Sequence, residues 1–175
     1  DGIMSGKTAV ADIDRFSTGA FQSGSAALIN GLKYLGKDSL VLQMFKKIFN
    51  NPSESVPEDS ALILASTKGE IDLLEKNILT GEGDASGSNL NKLLQKVSQL
   101  AGITGEAIVV SAACASASAA LARAAAMIRS GHKDSVLVAA CDSVTEFVYS
   151  GFSSLMALDK FPARPFDRSR SGLSV

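Results

Sequence analysis

The chain has 175 residues, 46% of them hydrophobic, enough to bury a core of ordinary single-domain size. With 17 Lys and Arg against 18 Asp and Glu, its summed field gives no attraction to nucleic acid or to an anionic membrane surface. Two cysteines and one histidine exclude a disulfide framework and an ordinary four-ligand zinc site, so no metal and no cofactor are expected, and a reducing cytoplasm is the expected compartment.

The opening Asp1-Gly2-Ile3-Met4-Ser5-Gly6-Lys7 carries no signal-peptide apolar stretch, and no run reaches the roughly 20 apolar residues of a membrane span. From Ser25 to Phe49, Leu28, Ile29, Leu32, Leu35, Leu40, Val41, Met44, Phe45 and Ile48 recur at helical spacings broken by Gly31 and Gly36. This predicts one broken helix or two short ones. Residues 50–57, with Pro52 and Pro57, read as a loop. Ala61–Ala65 is short and continuously apolar, the pattern of a strand covered on both faces in a parallel sheet. A helix follows from Ile71 to Leu79, then a glycine-rich loop from Gly81 to Ser88, then a helix from Leu90 to Leu100 stopped by Gly102. Ala107–Val110 is a second buried strand.

From Cys114 to Ile128 the chain is dominated by alanine with Arg123 its one charge, which predicts a helix buried over most of its circumference. Ser130-Gly131 ends it, Ser135–Ala140 is a third strand, Phe147–Leu158 a further helix, and Gly172–Val175 the opening of another strand. Strand, helix and strand at this spacing form parallel βαβ units, so the fold class is α/β with a single domain over residues 1–175.

Cys114 falls where strand becomes helix, and its sulfur is expected at a helix N-terminus. That position favours a thiolate: a free thiol of pKa near 8.5 is about 3% ionised at pH 7, and the helix dipole contributes up to about one unit of lowering. The flanking alanines and serines let a carbonyl approach closely enough to meet a backbone N–H. A buried structural cysteine has the same local sequence, so spacing alone leaves both readings open. His132 lies in the polar turn Ser130–Asp134, at the wrong end of the βαβ unit to serve Cys114, and reads as a solvated loop residue.

Ser111-Ala112-Ala113-Cys114-Ala115-Ser116-Ala117-Ser118, followed by Ile128-Arg129-Ser130-Gly131, Val136–Ser143, Ser150-Gly151-Phe152, Ala157-Leu158 and Arg164-Pro165-Phe166-Asp167, resembles the β-ketoacyl synthases. The order and the gaps match from about Ala61 to the end. The resemblance implies a thiolase-like fold, its N-terminal half only, with a mixed sheet, parallel βαβ units and helices on both faces. It implies a domain incomplete at both ends. It places Cys114 on the nucleophile position of an acyltransferase that condenses an acyl group with malonyl-carrier protein by decarboxylative Claisen chemistry. The Cys114 N–H would be one oxyanion donor. The family's two catalytic histidines and its lysine lie in the second half, so this chain alone is expected to be inactive. Acyl carrier protein, with its phosphopantetheine, is the implied partner, and a homodimer the implied assembly of the full enzyme.

Three further residues take substrate-binding roles from the same resemblance. Phe152 occupies the Gly-Phe position that borders the acyl tunnel, or is an ordinary core aromatic. Thr67 and Lys68 follow the first clear strand, and Lys68 stands where many relatives carry a bulky apolar side chain. A lysine there is expected to reach solvent or pair with an acid. Cys141, where relatives usually have glycine, reads as buried packing, and Asp142 and Glu146 as acids at the start of the next helix. Arg164, Asp167, Arg168 and Arg170 resemble a structural turn of the family, against a solvated or mutually paired cluster, which is the expected reading. Lys33, Lys37, Lys46 and Lys47 are candidates for docking an acidic carrier, against a solvated helix face.

Ala112-Ala113-Cys114-Ala115-Ser116 lies nearer the fatty-acid and polyene branch than the modular polyketide synthases. Two alternatives stand beside it: a non-catalytic ketosynthase-like interaction subunit, and a thiolase or ketoacyl synthase III relative that uses coenzyme A thioesters. Acyl-chain length and pathway are not encoded in these motifs.

Overall fold

The computed structural model describes residues 4–50 and 56–175. Asp1-Gly2-Ile3 and most of the loop expected over residues 50–57 lie outside the described residues. The chain divides into two compact units, Asp1–Gly31 with Val144–Val175, and Leu32–Ser143.

In the first unit β1 (Val10–Asp12) pairs antiparallel with β2 (Ser25–Ala27). Neither strand was legible as such, and β2 replaces the start of the helix expected from Ser25. The helix α1 is confined to Leu40–Phe49. Gly31 and Leu35 hold positive φ of 75° and 56°, so the right-handed helix cannot propagate through them, and Ser39 starts it afresh by accepting from the Leu42 N–H.

The second unit is built on a three-stranded parallel sheet of order β4-β3-β5, with β3 (Ala61–Ala65) central, β4 (Ala107–Val110) on one side and β5 (Val136–Ala140) on the other. Leu62 pairs with Ala107 and with Leu137, which sets the register of both edges. All five residues of β3 are buried, and they divide by the two-residue period of a strand. Leu62 and Leu64 face one cluster with Leu40, Val41 and Phe45 of α1 and with Leu93 and Val97 of α3 (Leu90–Ala101). Ala61, Ile63 and Ala65 face the other, with Ala120, Ala124 and Met127 of α4 (Ser116–Arg129). Helices thus cover both faces, and each buried Leu or Ile contributes about 1.5–3 kcal/mol by leaving water.

The helix α4 departs from expectation. Its buried residues are Ser116, Ala120, Ala124 and Met127, one stripe at near-helical period, while Leu121 and Ile128 are exposed. Only that stripe packs on the sheet, which is why alanine content alone overstated its burial.

α2 (Ile71–Thr80) opens with a buried acidic group. Glu70 Oε1 accepts from Ser39 Oγ at 2.7 Å, and Glu70 Oε2 pairs with Lys96 Nζ at 2.6 Å. Asp72 Oδ2 accepts from the Leu40 N–H at 2.8 Å. Burial pushes the Asp72 carboxyl up to about 6 and the nearby Glu70 and Glu75 carboxylates add to this, against the lowering by the Leu40 amide. The turn into α2 needs Gly69, whose φ is +59°, where a Cβ would stand 3.2 Å from Leu90 Cδ2.

In the first unit α5 (Glu146–Ser154) is shorter than expected, since Met156 adopts a positive φ of 53° just beyond it. Tyr149 is fully buried there, its ring 5.7 Å from Phe16 and 5.3 Å from Phe21, centroid to centroid, and its hydroxyl donates to Ser25 O. The expected last strand is a single bridge, Leu173 with Leu158. Among the described residues no helix is long and apolar enough to cross a membrane.

Candidate functional site

Parallel strands bring their carboxyl ends to one edge of the sheet, and there the turns after β3, β4 and β5 carry Thr67 and Lys68, Cys114, and Asp142. Cys114 is exposed and sits between β4 and α4, two residues before the first helical position. The residue before it, Ala113, has a φ of +49°, a left-handed conformation that costs a non-glycine residue about 1–2 kcal/mol. No acceptor among the described residues takes the Cys114 N–H.

The surrounding hydrogen bonds hold this turn. Ser116 Oγ accepts from the Ala112 N–H at 2.8 Å and donates to the Ala113 carbonyl at 2.7 Å. The Ala115 and Ser116 amides donate to the Ala112 and Ala113 carbonyls. Thr67 Oγ1 reaches the same Ala113 carbonyl at 3.4 Å, a weak bond that nevertheless brings the two turns together.

Asp142 does not cap α5. Thr145 does, accepting from the Val148 N–H. The Asp142 carboxylate instead turns back to the β3 turn, accepting from Ser66 Oγ at 2.7 Å, from the Thr67 N–H at 3.0 Å and, more distantly, from the Lys68 N–H at 3.4 Å. Lys68 is half-buried, and its ammonium makes no ion pair with any described residue. Family likeness pointed to Cys114 as nucleophile and to Thr67 as substrate-binding; the contact between their turns, and the parts that Ala113, Ser116 and Asp142 play in holding them, come from the fold. A serine two residues beyond the cysteine and a Thr-x-x-Val at the α5 start were the signals available.

Phe152 belongs to the other compact unit, where it packs against the cluster of Ile13, Ala26, Tyr149 and Leu158. Cys141 is half-buried with its sulfur 3.6 Å from Met44 Sδ, and burial, with Asp142 adding to it, pushes its thiol up to about 11. His132 bonds Glu106 at 2.8 Å beside a polar cavity of about 390 Å³ lined by Ser60 and Ser135. These residues precede their strands, so the histidine lies at the opposite end of the sheet from Cys114. Arg164 binds Ser169 and lies 3.7 Å from Asp159, and Arg170 donates to the Asp167 carbonyl. Lys46 is held by Asp38 at 2.7 Å. Among the described residues no cluster of His, Cys, Asp and Glu has metal-binding geometry.

Residues 60–175 match the family model of the β-ketoacyl synthase N-terminal domain. Solved structures with the same fold include the ishigamide ketosynthase/chain length factor, 24% identical with a TM-score of 0.77 over 98% of this chain and 49% of that one. A β-ketoacyl synthase from Burkholderia phymatum STM815 is 20% identical, with a TM-score of 0.70 over 97% of this chain and 50% of that one. The ketosynthase ApeO of Xenorhabdus doucetiae, solved in complex with its chain length factor ApeC, is 18% identical, with a TM-score of 0.63 over 95% and 47%. The chain spans about half the length of each of these structures. Among curated proteins none matches the sequence.

Proposed function

The chain belongs to the β-ketoacyl synthase family, whose N-terminal domain it carries, and from that premise we propose that Cys114 is the acyl acceptor of a 3-oxoacyl-[acyl-carrier-protein] synthase of the fatty-acid or polyene type. One observation carries this reading: an exposed sulfur on a left-handed turn between the carboxyl end of a parallel strand and a helix N-terminus. The sulfur, having given up its proton, attacks the thioester carbonyl carbon of an acyl group on the phosphopantetheine of acyl carrier protein. A new C–S bond forms, the old one breaks, and the carrier thiolate leaves and takes up a proton. The Cys114 N–H, for which no acceptor is found among the described residues, would donate to the oxyanion of the tetrahedral intermediate. Decarboxylation of malonyl-carrier protein then supplies the carbanion that takes the acyl group, with loss of carbon dioxide, and Cys114 regains its thiol.

Thr67, Lys68 and Phe152 are the proposed substrate-binding residues. Thr67 and Lys68 rest on the turn that meets Ala113, and Phe152 on the Gly151-Phe152 likeness. The assembly proposed for the complete enzyme is a homodimer working in the cytoplasm with acyl carrier protein and no cofactor. The sole histidine lies at the far end of the sheet, so residues 1–175 by themselves are expected to accept an acyl group without condensing it.

A second reading has its own observation. Leu121 and Ile128 on α4 are exposed apolar side chains, as suits a ketosynthase-like interaction subunit that needs no chemistry. The test is to incubate the protein with acyl-carrier protein and with the matching coenzyme A thioester, then to map the acyl group by mass spectrometry. Acylation of Cys114 from the carrier supports the proposal. Preference for coenzyme A moves the chain to the thiolase or ketoacyl synthase III branch, and no acylation from either leaves the interaction subunit. Cerulenin attached to Cys114 and absent from Cys141 agrees with the first outcome.

A further inference from the structure

Ala113 is a non-glycine residue at a φ of +49°, and it is the hinge on which the Cys114 Cα–Cβ direction depends. Such a conformation persists where its surroundings over-determine it. The element that does so here is the Ser116 side chain. Its oxygen takes the N–H of Ala112 at 2.8 Å and gives its proton to the carbonyl of Ala113 at 2.7 Å, so one hydroxyl closes a ring across both dihedrals of Ala113. Ser116 is 6% exposed, and water has little access to replace either bond. The hydroxyl serves no capping role, because the position before it, Ala115, is the N-cap and makes no side-chain cap.

We propose that Ser116 is a positioning residue for Cys114: its hydroxyl holds Ala113 left-handed and thereby fixes the direction in which the sulfur meets an acyl carbonyl. The inference rests on the acyl-acceptor reading of Cys114 and adds a residue that acts only through backbone geometry. Displacement of a nucleophile by about 1 Å costs up to a hundredfold in rate, so the effect belongs in the bond-forming step and not in thioester binding.

The experiment is single-turnover acyl loading of Cys114 from octanoyl-pantetheine thioester, followed by mass spectrometry on the parent protein, Ser116→Ala, Ser116→Thr, Ala113→Gly and the double variant S116A/A113G. Thermal unfolding is measured on each. The maximum loading rate of Ser116→Ala is expected to fall about ten- to a hundredfold with the half-saturating thioester concentration unchanged. Ser116→Thr, which keeps the hydroxyl, restores most of the rate. Glycine adopts a positive φ without help, so S116A/A113G also recovers most of it. A parent that loads while Ser116→Ala loads equally fast overturns the inference and leaves the acyl-acceptor reading intact. A parent that does not load removes the acyl-acceptor reading, and this inference with it. If Ser116→Ala does not fold, the double variant decides: loading near the parent rate supports the bracket, and a folded double variant that fails to load overturns it.

Discussion

Ser66 Oγ donates to Asp142 Oδ1 across 2.7 Å, so the carboxylate that follows β5 closes the turn that follows β3. The same Ser66 oxygen accepts from the Gly69 N–H at 3.1 Å, and Ser66 is fully buried. Asp142→Ala strips an acceptor from Ser66 and from the Thr67 amide. A loss of about 1–3 kcal/mol is expected, with Asp142→Asn losing less because it keeps one acceptor oxygen. Urea midpoints at unchanged slope measure it, and equal midpoints for parent and Asp142→Ala would show that the carboxylate does not hold the turn.

Asp72 gives a pH dependence whose sign can be worked out. Its carboxyl is raised from 3.8 to about 6 on folding, so the native chain binds that proton more tightly than the unfolded chain. The contribution is therefore full below about pH 4 and is lost as pH rises through 6. Glu70 and Glu75 share its surroundings, Lys96 neutralises Glu70 from α3, and the Leu40 amide at the start of α1 is its donor. Asp72→Asn should be more stable than the parent by roughly 2–3 kcal/mol at pH 7, a margin that shrinks toward pH 4. Denaturant titrations at the two pH values test this, and an unchanged margin between them contradicts it.

The two thiols should react very unequally. Cys141 is half-buried, and with its thiol pushed up to about 11, roughly 0.1% of it is ionised at pH 8. Iodoacetamide at that pH is expected to modify the exposed Cys114 in the folded chain and to reach Cys141 only after unfolding. Peptide mapping of a time course reads both, and early modification of Cys141 would contradict its packing against Met44.

Packing along α4 is confined to one stripe, which predicts opposite outcomes for neighbouring alanines. Ala120 is fully buried against β3, so Ala120→Leu should cost about 1–3 kcal/mol by overpacking. Ala122 points outward, and Ala122→Leu should stay within about 0.5 kcal/mol of the parent. Thermal melts of the pair separate the stripe from a helix buried all round.

What the sequence made legible follows from how strongly each feature constrains it. The continuous apolar run Ala61–Ala65 cannot be anything exposed, and it is the central strand. The glycine at 102 stops α3 as expected, with a φ of +67°. Between Ser25 and Ser39 the helical spacing of apolar residues was real, but Gly31 and Leu35 break the backbone, and Ala26 is buried by a strand ladder instead. Cys114 was legible because its neighbours form a recurring motif. The bracket around it was not, because a left-handed alanine and a hydroxyl bridging two peptide groups leave no periodic trace. Asp142 resembled a helix cap by position, and only the fold shows its carboxylate accepting from the β3 turn while Thr145 caps the helix.

The order β4-β3-β5 also sets a schedule for synthesis. The central strand is made first, and its partner on the β5 side begins 75 residues later, as the Ser60–Ser135 contact measures. At about 5–20 residues per second a ribosome needs roughly 4–15 s to deliver it. Over that interval the β5-side flank of the five apolar residues of β3 stays unpaired, and only the later arrival of Val136–Ala140 closes the sheet.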